Sequence, residues 1–289
     1  MEGRVILRKF EYLKPNSIKE AISILSQYGG KAQILNGGTD LIVGMRDKII
    51  QPEYLVDIKA IPQLSRITYN KQDGLNIGAT VTLNEISDSK VVQRNYPILA
   101  EACKTVGSYQ VRNRATLVGN ICNASPAADT APALLVLEAK VNIIGPTGEK
   151  IVPINQFFTG VKKNILKKGE IVTSVIVPSL RDEWTGVYLK QGRRKDVDLA
   201  TVGVAVVCIR DEIRIALGAV APTSIRAFKT EKLLKGKTID ESLLEKAGES
   251  ALTEVSPISD VRSSQEYREE IIKVLVRRAV LQAKGGDIL

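Results

Sequence analysis

The spacing of apolar residues predicts alternating helices and strands in the first half of the chain. Apolar residues recur at helical intervals from Ile18 to Leu25, between the capping run 15–17 and the glycine pair 29–30, which predicts a helix. A short buried strand follows at 32–35, and an apolar stretch after it begins at Leu41. Further elements are predicted from apolar runs bounded by Pro, Gly, Asn or Asp: strands at 54–58, 75–79 and 171–177, and a helix at 98–106.

The second half reads as strands followed by helices. Strands are predicted at 186–190, 202–210 and 213–219, with Asp211-Glu212 as a hairpin turn, and helices at 227–235, 240–251 and 264–283. This order indicates an α+β fold for the second part. The polar, turn-prone segment 178–183 is the predicted boundary between two domains, 1–178 and 183–289.

One segment has neither the helical nor the strand-like spacing of apolar residues. Residues 107–132 are rich in Gly, Asn, Ser, Thr and Ala and carry few bulky apolar side chains after Val118, which predicts a long loop. A long loop inside a compact domain is either functional or disordered. The low net charge of this one favours function.

The amino-acid composition excludes several kinds of catalytic site. The chain of 289 residues is 44% hydrophobic and 25% charged, as in ordinary globular proteins, and it has no histidine. A Ser-His-Asp or Cys-His nucleophile and a His-ligated metal are therefore excluded. If the protein is an enzyme, we expect a bound cofactor to carry the chemistry.

The three cysteines, Cys103, Cys122 and Cys208, are far apart and form no CxxC pair. We expect them to be buried, unbridged residues rather than metal ligands or a disulfide framework. No run of 18 apolar residues and no apolar leader occurs, so we expect a cytoplasmic protein without a membrane span. The net charge of +9 comes from scattered basic residues, and aromatic residues are only 4%, which disfavours nucleic-acid binding.

The first candidate site is Asn36-Gly37-Gly38-Thr39-Asp40. Adjacent glycines after a buried strand can turn sharply and bring backbone amides against a ligand. A helix starting near Asp40 would aim its N-terminus at the same place, where anions are favoured. A phosphate or pyrophosphate site and a plain turn with a polar cap both remain open, because short glycine motifs are common.

The second candidate site runs from Arg114 to Asp129 and strings together small residues, backbone amides and hydroxyl groups. Such a segment can wrap closely around a ligand, and Asp129 could accept hydrogen bonds from a ribose or an amine. It could equally be a packed connector whose polar side chains bond to neighbouring backbone.

The third candidate site is the segment 188–200. Tyr188 and Lys190 would face the same side of a strand, and an aromatic ring beside a cation suits a planar ligand. Taken alone, an exposed edge strand with a solvated basic cluster, Arg193-Arg194-Lys195, explains this segment better than a ligand site does.

Together the three segments resemble the flavin-binding medium subunit of the xanthine dehydrogenase and carbon monoxide dehydrogenase family of molybdenum hydroxylases. The resemblance lies in Asn36 through Leu41, in Thr116 through Asp129, and in Tyr188, Lys190 and the run Asp198-Leu199-Ala200. It extends in order along nearly the whole chain, and within the family the chain is expected to resemble the subunit of an archaeal aldehyde oxidoreductase.

The resemblance implies an FAD-binding domain of the p-cresol methylhydroxylase type, with two α/β subdomains, followed by a smaller C-terminal α+β domain with an antiparallel sheet and helices. FAD, bound non-covalently, would take electrons from a partner [2Fe-2S] subunit and pass them to an external acceptor. A third subunit would hold molybdopterin and oxidise the substrate, in a dimer of heterotrimers.

The resemblance also implies a set of cofactor-binding residues. The pyrophosphate would lie against the first segment, the phosphates and ribityl chain against the second, Ser125 and Asp129 toward the adenosine side, and the flavin ring near Ile171, Val172 and Lys190. The full set is Ile34, Leu35, Asn36, Gly37, Gly38, Thr39, Asp40, Leu41, Thr116, Val118, Gly119, Asn120, Ser125, Asp129, Ile171, Val172, Tyr188 and Lys190.

Val118 departs from the family pattern, which has a glycine there. A β-branched residue is unsuited to positive φ, so either this position is not left-handed or the loop is displaced. Two alternatives to the electron-transfer subunit are a self-contained FAD-dependent reductase of a small molecule and a non-enzymatic nucleotide- or nucleic-acid-binding protein.

Overall fold

A computed structural model describes residues 7–180, 182–194 and 197–286. The strands in chain order are β1 (Glu11–Leu13), β2 (Ala32–Leu35), β3 (Tyr54–Asp57), β4 (Ile67–Asn70), β5 (Gly74–Gly78), β6 (Lys140–Gly145), β7 (Gly148–Pro153), β8 (Phe158–Gly160), β9 (Lys163–Asn164), β10 (Ile171–Val177), β11 (Trp184–Gln191), β12 (Val202–Ile209), β13 (Glu212–Gly218) and β14 (Ile225–Arg226). The helices are α1 (Ile18–Tyr28), α2 (Leu41–Arg46), α3 (Leu83–Asp88), α4 (Lys90–Asn95), α5 (Pro97–Lys104), α6 (Tyr109–Arg112), α7 (Leu117–Asn123), α8 (Thr130–Val136), α9 (Phe228–Leu234), α10 (Glu241–Leu252) and α11 (Gln265–Ala283).

A small parallel sheet opens the fold, with strand order β1-β3-β2. Helix α1 connects β1 to β2 and has the predicted ends: the Ser17 hydroxyl accepts a hydrogen bond from the Glu20 amide at 3.1 Å, and Gly29 ends the helix at φ +54°. Strand β2 also has the predicted bounds. Because the strands are parallel, the loops that follow β2 and β3 leave the sheet at the same edge.

A five-stranded antiparallel sheet follows, in the order β4-β5-β10-β6-β7. Its central strand β10 spans the predicted residues and is buried along nearly its whole length. Helices α3 to α8 lie between β5 and β6 in the chain, and their apolar residues join those of both sheets in one hydrophobic core.

The predicted loop at 107–132 is wrong: it contains α6, α7 and the start of α8. The first two helices are capped by hydroxyl groups, since Ser108 accepts from the Val111 amide and Thr116 from the Gly119 amide. The small residues between them are buried. Short helices of this kind depend on tertiary packing, so local periodicity did not reveal them.

The C-terminal part is an antiparallel sheet, β11-β12-β13-β14, with helices on one side, as predicted. Strand β12 is buried on both faces. Val204 and Val206 belong to a core shared with α10 and α11, whereas Ala205 and Val207 on the opposite face belong to the core of the first part. The two parts of the chain therefore pack through a sheet face.

One turn is displaced by one residue from its predicted position. Ile209 pairs with Glu212, so the turn consists of Arg210 and Asp211, with Arg210 at φ +49°. We keep the domain boundary at 178–183 as a proposal, between the end of β10 and the start of β11. Residues 1–6 of the first predicted domain, residues 195–196 and 287–289 of the second, and residue 181 between the two domains lie outside the described residues. Among the described helices, none is long and apolar enough to cross a membrane.

Candidate functional site

The first loop, residues 36–40, follows β2 and leads into α2. Within residues 7–180, 182–194 and 197–286, no group accepts a hydrogen bond from the backbone amides of Gly37, Gly38, Thr39 or Asp40. Gly38 has φ +77°, which favours glycine. Four donors without an acceptor, followed by a helix start, form a site suited to an anion.

The second loop, residues 114–120, contains the start of α7. The Thr116 hydroxyl accepts from the Gly119 amide at 2.9 Å and so caps this helix. Val118 lies in the first turn with its side chain buried, and its backbone is right-handed. The valine that replaces the family's glycine is therefore unstrained, and the loop needs no displacement to accommodate it.

The two loops are joined through Asn36 and Gly37. The Asn36 amide nitrogen donates to the Thr116 hydroxyl at 2.9 Å and to the Ala79 carbonyl at 2.6 Å. A Cβ on Gly37 would lie 2.2 Å from the Arg114 carbonyl oxygen. The unpartnered amides of the first loop and the capped start of α7 thus lie side by side, and this donor-rich set fits a diphosphate.

Asn120 and Ser125 lie beyond the second loop and are half-buried. The Asn120 side-chain carbonyl accepts from the Thr130 hydroxyl at 2.6 Å, which ties α7 to α8. Ser125 follows Ala124, which takes a left-handed conformation at φ +47°. The Asn120 amide nitrogen remains available for the predicted ligand contact.

Asp129 is buried at the start of α8 and meets two side chains of β11. Tyr188 donates its hydroxyl to one carboxylate oxygen at 2.9 Å, and Lys190 places its ammonium group 2.9 Å from the other. The Lys190 ammonium also donates to the Thr105 carbonyl at 2.9 Å. Tyr188 and Lys190 therefore face the same way, as predicted, and both point into the first part of the chain.

The charges in this cluster depend on one another. Burial raises the pKa of Asp129, and the charge and hydrogen bond of Lys190 act in the opposite direction. Burial and the neighbouring carboxylate raise the pKa of Tyr188 well above 10, so its hydroxyl stays a donor. The sequence placed Asp129 and Lys190 at different parts of FAD, but their charged groups are in direct contact.

Ile171 and Val172 begin β10 and are 1% and 2% exposed. Their side chains belong to the hydrophobic core, and the pairing of β10 with β6 shifts register between Val172 and Ser174. Both residues pair with β6, but the pairing of β10 with β5 begins only at Ser174, so within the described residues their backbone has no strand partner on that side. A backbone contact to a ligand therefore fits these residues better than a side-chain contact.

Comparison with known proteins identifies this arrangement. Residues 8–180 match the family model described as "FAD binding domain in molybdopterin dehydrogenase", and residues 187–283 match "CO dehydrogenase flavoprotein C-terminal domain". The chain is similar to the carbon monoxide dehydrogenase medium chain of Hydrogenophaga pseudoflava, with 35% identity over 94% of this chain and 96% of that one. The chain belongs to the FAD-binding medium subunits of the carbon monoxide and xanthine dehydrogenase family.

Other relatives also align with this chain over nearly its whole length and theirs. The xanthine dehydrogenase FAD-binding subunit of Escherichia coli O157:H7 is 32% identical over 96% of this chain and 98% of that one. The glyceraldehyde dehydrogenase medium chain of Sulfolobus acidocaldarius is 32% identical over 94% of this chain and 97% of that one. A solved structure of the H. pseudoflava carbon monoxide dehydrogenase superposes with a TM-score of 0.93, covering 97% of this chain and 99% of that chain.

These findings confirm the predicted two-domain fold, an oxidoreductase subunit, and FAD as its cofactor. The non-enzymatic alternative is excluded by the family.

Cys122 bears on how this medium subunit holds FAD. Burial raises the pKa of the Cys122 thiol to about 12, so the thiol is protonated near neutral pH and is a poor nucleophile. All three cysteines are free, as expected, but only Cys103 and Cys208 are buried by their exposed area, whereas Cys122 is half-buried. Non-covalent binding of FAD is consistent with both observations.

Two lysines at the first loop of this medium subunit escaped the sequence analysis. Lys59 donates to the Asn36 carbonyl at 3.3 Å, and Lys162 lies between Asp40, at 4.0 Å, and the Asn123 side chain, at 2.9 Å. The sequence position of Lys59 could have indicated its place at the site, because it follows β3, the parallel neighbour of β2, and so leaves the sheet at the same edge as the first loop. Lys162 had none, because only the folded hairpin of β8 and β9 brings it there.

The basic end of the third segment is only partly described, because Lys195 and Asp196 lie outside the described residues. Arg193 and Arg194 are exposed, and their amides donate to the Asp198 carboxylate at 2.7 and 3.1 Å. Asp198 therefore organises this turn.

Proposed function

We propose that this chain is the electron-transfer subunit of a molybdenum-containing hydroxylase. It would take electrons from a partner [2Fe-2S] subunit and pass them to an external acceptor, while a molybdopterin subunit oxidises the substrate. The observation that supports this most is the pair of joined loops rich in hydrogen-bond donors, in a chain similar along its whole length to medium chains of such enzymes.

We propose that the diphosphate of FAD lies against the first loop and the start of α7. The amides of Gly37 to Asp40 and the Thr116–Gly119 cap supply its contacts, with Ile34, Leu35 and Leu41 closing the apolar side. Asn120 extends the contacts along the ribityl chain, and Ser125 extends them toward the adenosine side. When bound, FAD would supply a redox group that accepts electrons and releases them to the acceptor.

Asp129, Tyr188 and Lys190 are assigned together to the flavin ring. The resemblance places Lys190 near the ring, and the 2.9 Å ion pair brings Asp129 with it, away from the adenosine side. A fixed ammonium group beside the ring would favour negative charge there, which is one way a protein tunes a cofactor. Ile171 and Val172 would border the same region.

We propose a dimer of heterotrimers in the cytoplasm for the assembly. Free cysteines suit a reducing compartment, and a chain of net charge +9 suits an acidic partner surface. The mass of the complex purified with its native partners tests this stoichiometry.

The experiment starts from the protein purified with its native partners. We expect a flavin spectrum with iron–sulfur absorbance, and release of FAD, identified by mass, on denaturation. The complex is then exposed without oxygen to acetaldehyde, xanthine and carbon monoxide in turn. One of these, or another substrate of the large subunit, should bleach the flavin only when the [2Fe-2S] subunit is present. Bleaching by NADH of the chain alone would instead support a self-contained reductase.

A further inference from the structure

A cluster of titratable side chains lies at the carboxyl edge of the parallel sheet. Asp57 ends β3, and its backbone pairs with Leu35 at the end of β2, one residue before the first loop. Lys59 comes two residues later. In open sheets of parallel strands, ligands bind at the carboxyl ends of the strands, so this cluster and the first loop face the same region.

The cluster contains an ion pair between Asp57 and Lys59, in which the carboxylate is buried and the ammonium group is partly exposed. Asp57 is 4% exposed and both of its carboxylate oxygens are occupied: Oδ1 receives the Lys59 amide at 2.9 Å and the Lys59 ammonium at 2.7 Å, and Oδ2 receives the Tyr12 hydroxyl. Burial raises the pKa of Asp57, but the hydrogen bonds from Lys59 and Tyr12 outweigh burial and lower the pKa overall. The carboxylate is therefore ionised and has no oxygen facing a ligand.

The Lys59 ammonium group is more exposed than the Asp57 carboxylate and does not use all of its hydrogen-bond donors within the cluster. The Lys59 side chain is 31% exposed, and its nitrogen contacts Asp57 and the Asn36 carbonyl. An ammonium group has three donors, and these contacts use two of them. The third donor has no partner among the described residues, and the two contacts hold the ammonium nitrogen beside the first loop, whose amides carry only partial charge. A cation held in this way suits an anionic ligand.

We propose that Lys59 is a further cofactor-binding residue whose ammonium group, positioned by Asp57 and Tyr12, binds the diphosphate of FAD beside the first loop. This rests on the proposed placement of the diphosphate at residues 36–40. Tyr12 and Asp57 act as positioning residues and do not touch the ligand.

The test compares FAD with riboflavin, which lacks both phosphates, on the complex after removal of its flavin. Lys59→Met keeps the stem and removes the charge; we expect it to weaken FAD binding by about 10- to 100-fold, the range for a lost charged hydrogen bond, and to leave riboflavin binding unchanged. Lys59→Arg keeps a cation and should restore most of the FAD affinity.

Lys31 offers a matched control. It forms an ion pair with Glu53 at 3.2 Å, at the opposite edge of the same sheet, so Lys31→Met removes an equal charge away from the site. Its FAD affinity should equal that of the wild type. Tyr12→Phe, which removes one hydrogen bond to Asp57 and keeps the lysine, should give a smaller loss for FAD and none for riboflavin.

Three outcomes would overturn the inference: Lys59→Met binding FAD as tightly as wild type, equal losses for FAD and riboflavin, or an equal loss in Lys31→Met. Should Lys59→Met not fold, Tyr12→Phe decides by the same comparison. In each case wild-type FAD binding stands and the proposed function survives. A wild-type complex that binds no FAD would overturn the proposed function as well.

Discussion

Gly37 has no room for a side chain. A Cβ there would lie 2.2 Å from the Arg114 carbonyl oxygen and 2.9 Å from its carbon, both backbone atoms that cannot turn away. We expect Gly37→Ala to push the two loops apart, to cost about 1–3 kcal/mol of unfolding free energy, and to weaken FAD binding.

The control for this prediction is Gly30→Ala, because a Cβ on Gly30 meets no atom within 4 Å. Urea unfolding and FAD titration of both variants give the comparison. Wild-type stability and FAD affinity in Gly37→Ala would show that the loops are not held at the distance described.

The Asp129–Lys190 pair makes a second prediction at this scale. Their side chains are 6% and 13% exposed, so Asp129→Leu leaves a buried ammonium group with only the Thr105 carbonyl. Breaking a buried pair from one side costs about 3–5 kcal/mol, whereas replacing both partners by apolar residues is much cheaper. The double variant Asp129→Leu/Lys190→Met should therefore be more stable than Asp129→Leu alone.

Equilibrium unfolding of the two single variants and the double variant forms the thermodynamic cycle. Additive losses would mean that the two charges do not interact in the folded protein. A reductive titration followed by flavin absorbance reports separately on the cofactor in the same variants, since loss of the Lys190 charge should change the redox potential of bound FAD even where stability is retained.

At the scale of single elements, α7 depends on Thr116. Its hydroxyl accepts from the Gly119 amide and from the Asn36 side chain, both at 2.9 Å. Valine has the same shape without the oxygen, so Thr116→Val should cost about 1–3 kcal/mol from the lost cap and the unpaired Asn36 amide, and should weaken FAD binding. Thr116→Ser retains the acceptor and should behave as wild type.

A cap elsewhere separates stability from binding. Ser264 caps α11 by accepting from the Tyr267 amide at 3.2 Å, far along the chain from the first loop. Ser264→Ala should cost about 1 kcal/mol with no change in FAD affinity. If Thr116→Val lost no more stability than Ser264→Ala and bound FAD with wild-type affinity, α7 would have no part in the FAD site.

Helix α11 is tied to the loop before it by Asp260. The Asp260 carboxylate meets Arg262 at 2.5 Å and the buried Arg268 at 2.8 Å. The hydrogen bond from Arg262, together with the charge of Arg268, holds the pKa of Asp260 well below its ordinary value. The folded state therefore binds this proton less readily than the unfolded state does.

The stability that Asp260 contributes depends on pH. The contribution of Asp260 is present above its unfolded pKa of about 4 and is lost as the pH falls toward the lower folded value. We expect urea midpoints to fall below about pH 4 more steeply in wild type than in Asp260→Asn, which has no such proton to bind. Parallel curves for the two proteins would contradict this assignment.

The same elements show what the sequence could predict. Helix α1 and strands β2 and β10 were predicted closely, because each has strong periodicity, a clear cap or a β-branched run. Helices α6 and α7 were missed, since small polar residues give no periodic signal and only hydroxyl caps and burial define them.

The candidate site was predicted to a similar extent. The first and second loops were recognised from their glycines, hydroxyls and resemblance to a family. The contact of Asp129 with Lys190 depends on packing between distant segments, and so does the position of Lys162. Such contacts join residues tens of positions apart in the chain, and no local pattern encodes them.

At the scale of the whole molecule, the two parts share their interior. Tyr188, Ala205, Val207 and Ala216 of the C-terminal sheet belong to the core of the first part, and Tyr188 and Lys190 bond to Asp129 across the junction. Unfolding either part would expose the apolar surface of the other. We therefore expect one cooperative unfolding transition for the chain.

Binding of FAD should move that transition as a unit. A ligand that binds only the folded state at 100 times its Kd adds about 2.7 kcal/mol, which for a chain of this size raises Tm by about 4–5 °C. The shift should be complete in wild type and reduced in Gly37→Ala at the same FAD concentration, because that variant binds FAD less tightly. Scanning calorimetry with and without FAD measures it. Two transitions, of which FAD shifts only the first, would mean that the C-terminal sheet contributes nothing to the flavin site and that Tyr188 and Lys190 serve packing alone.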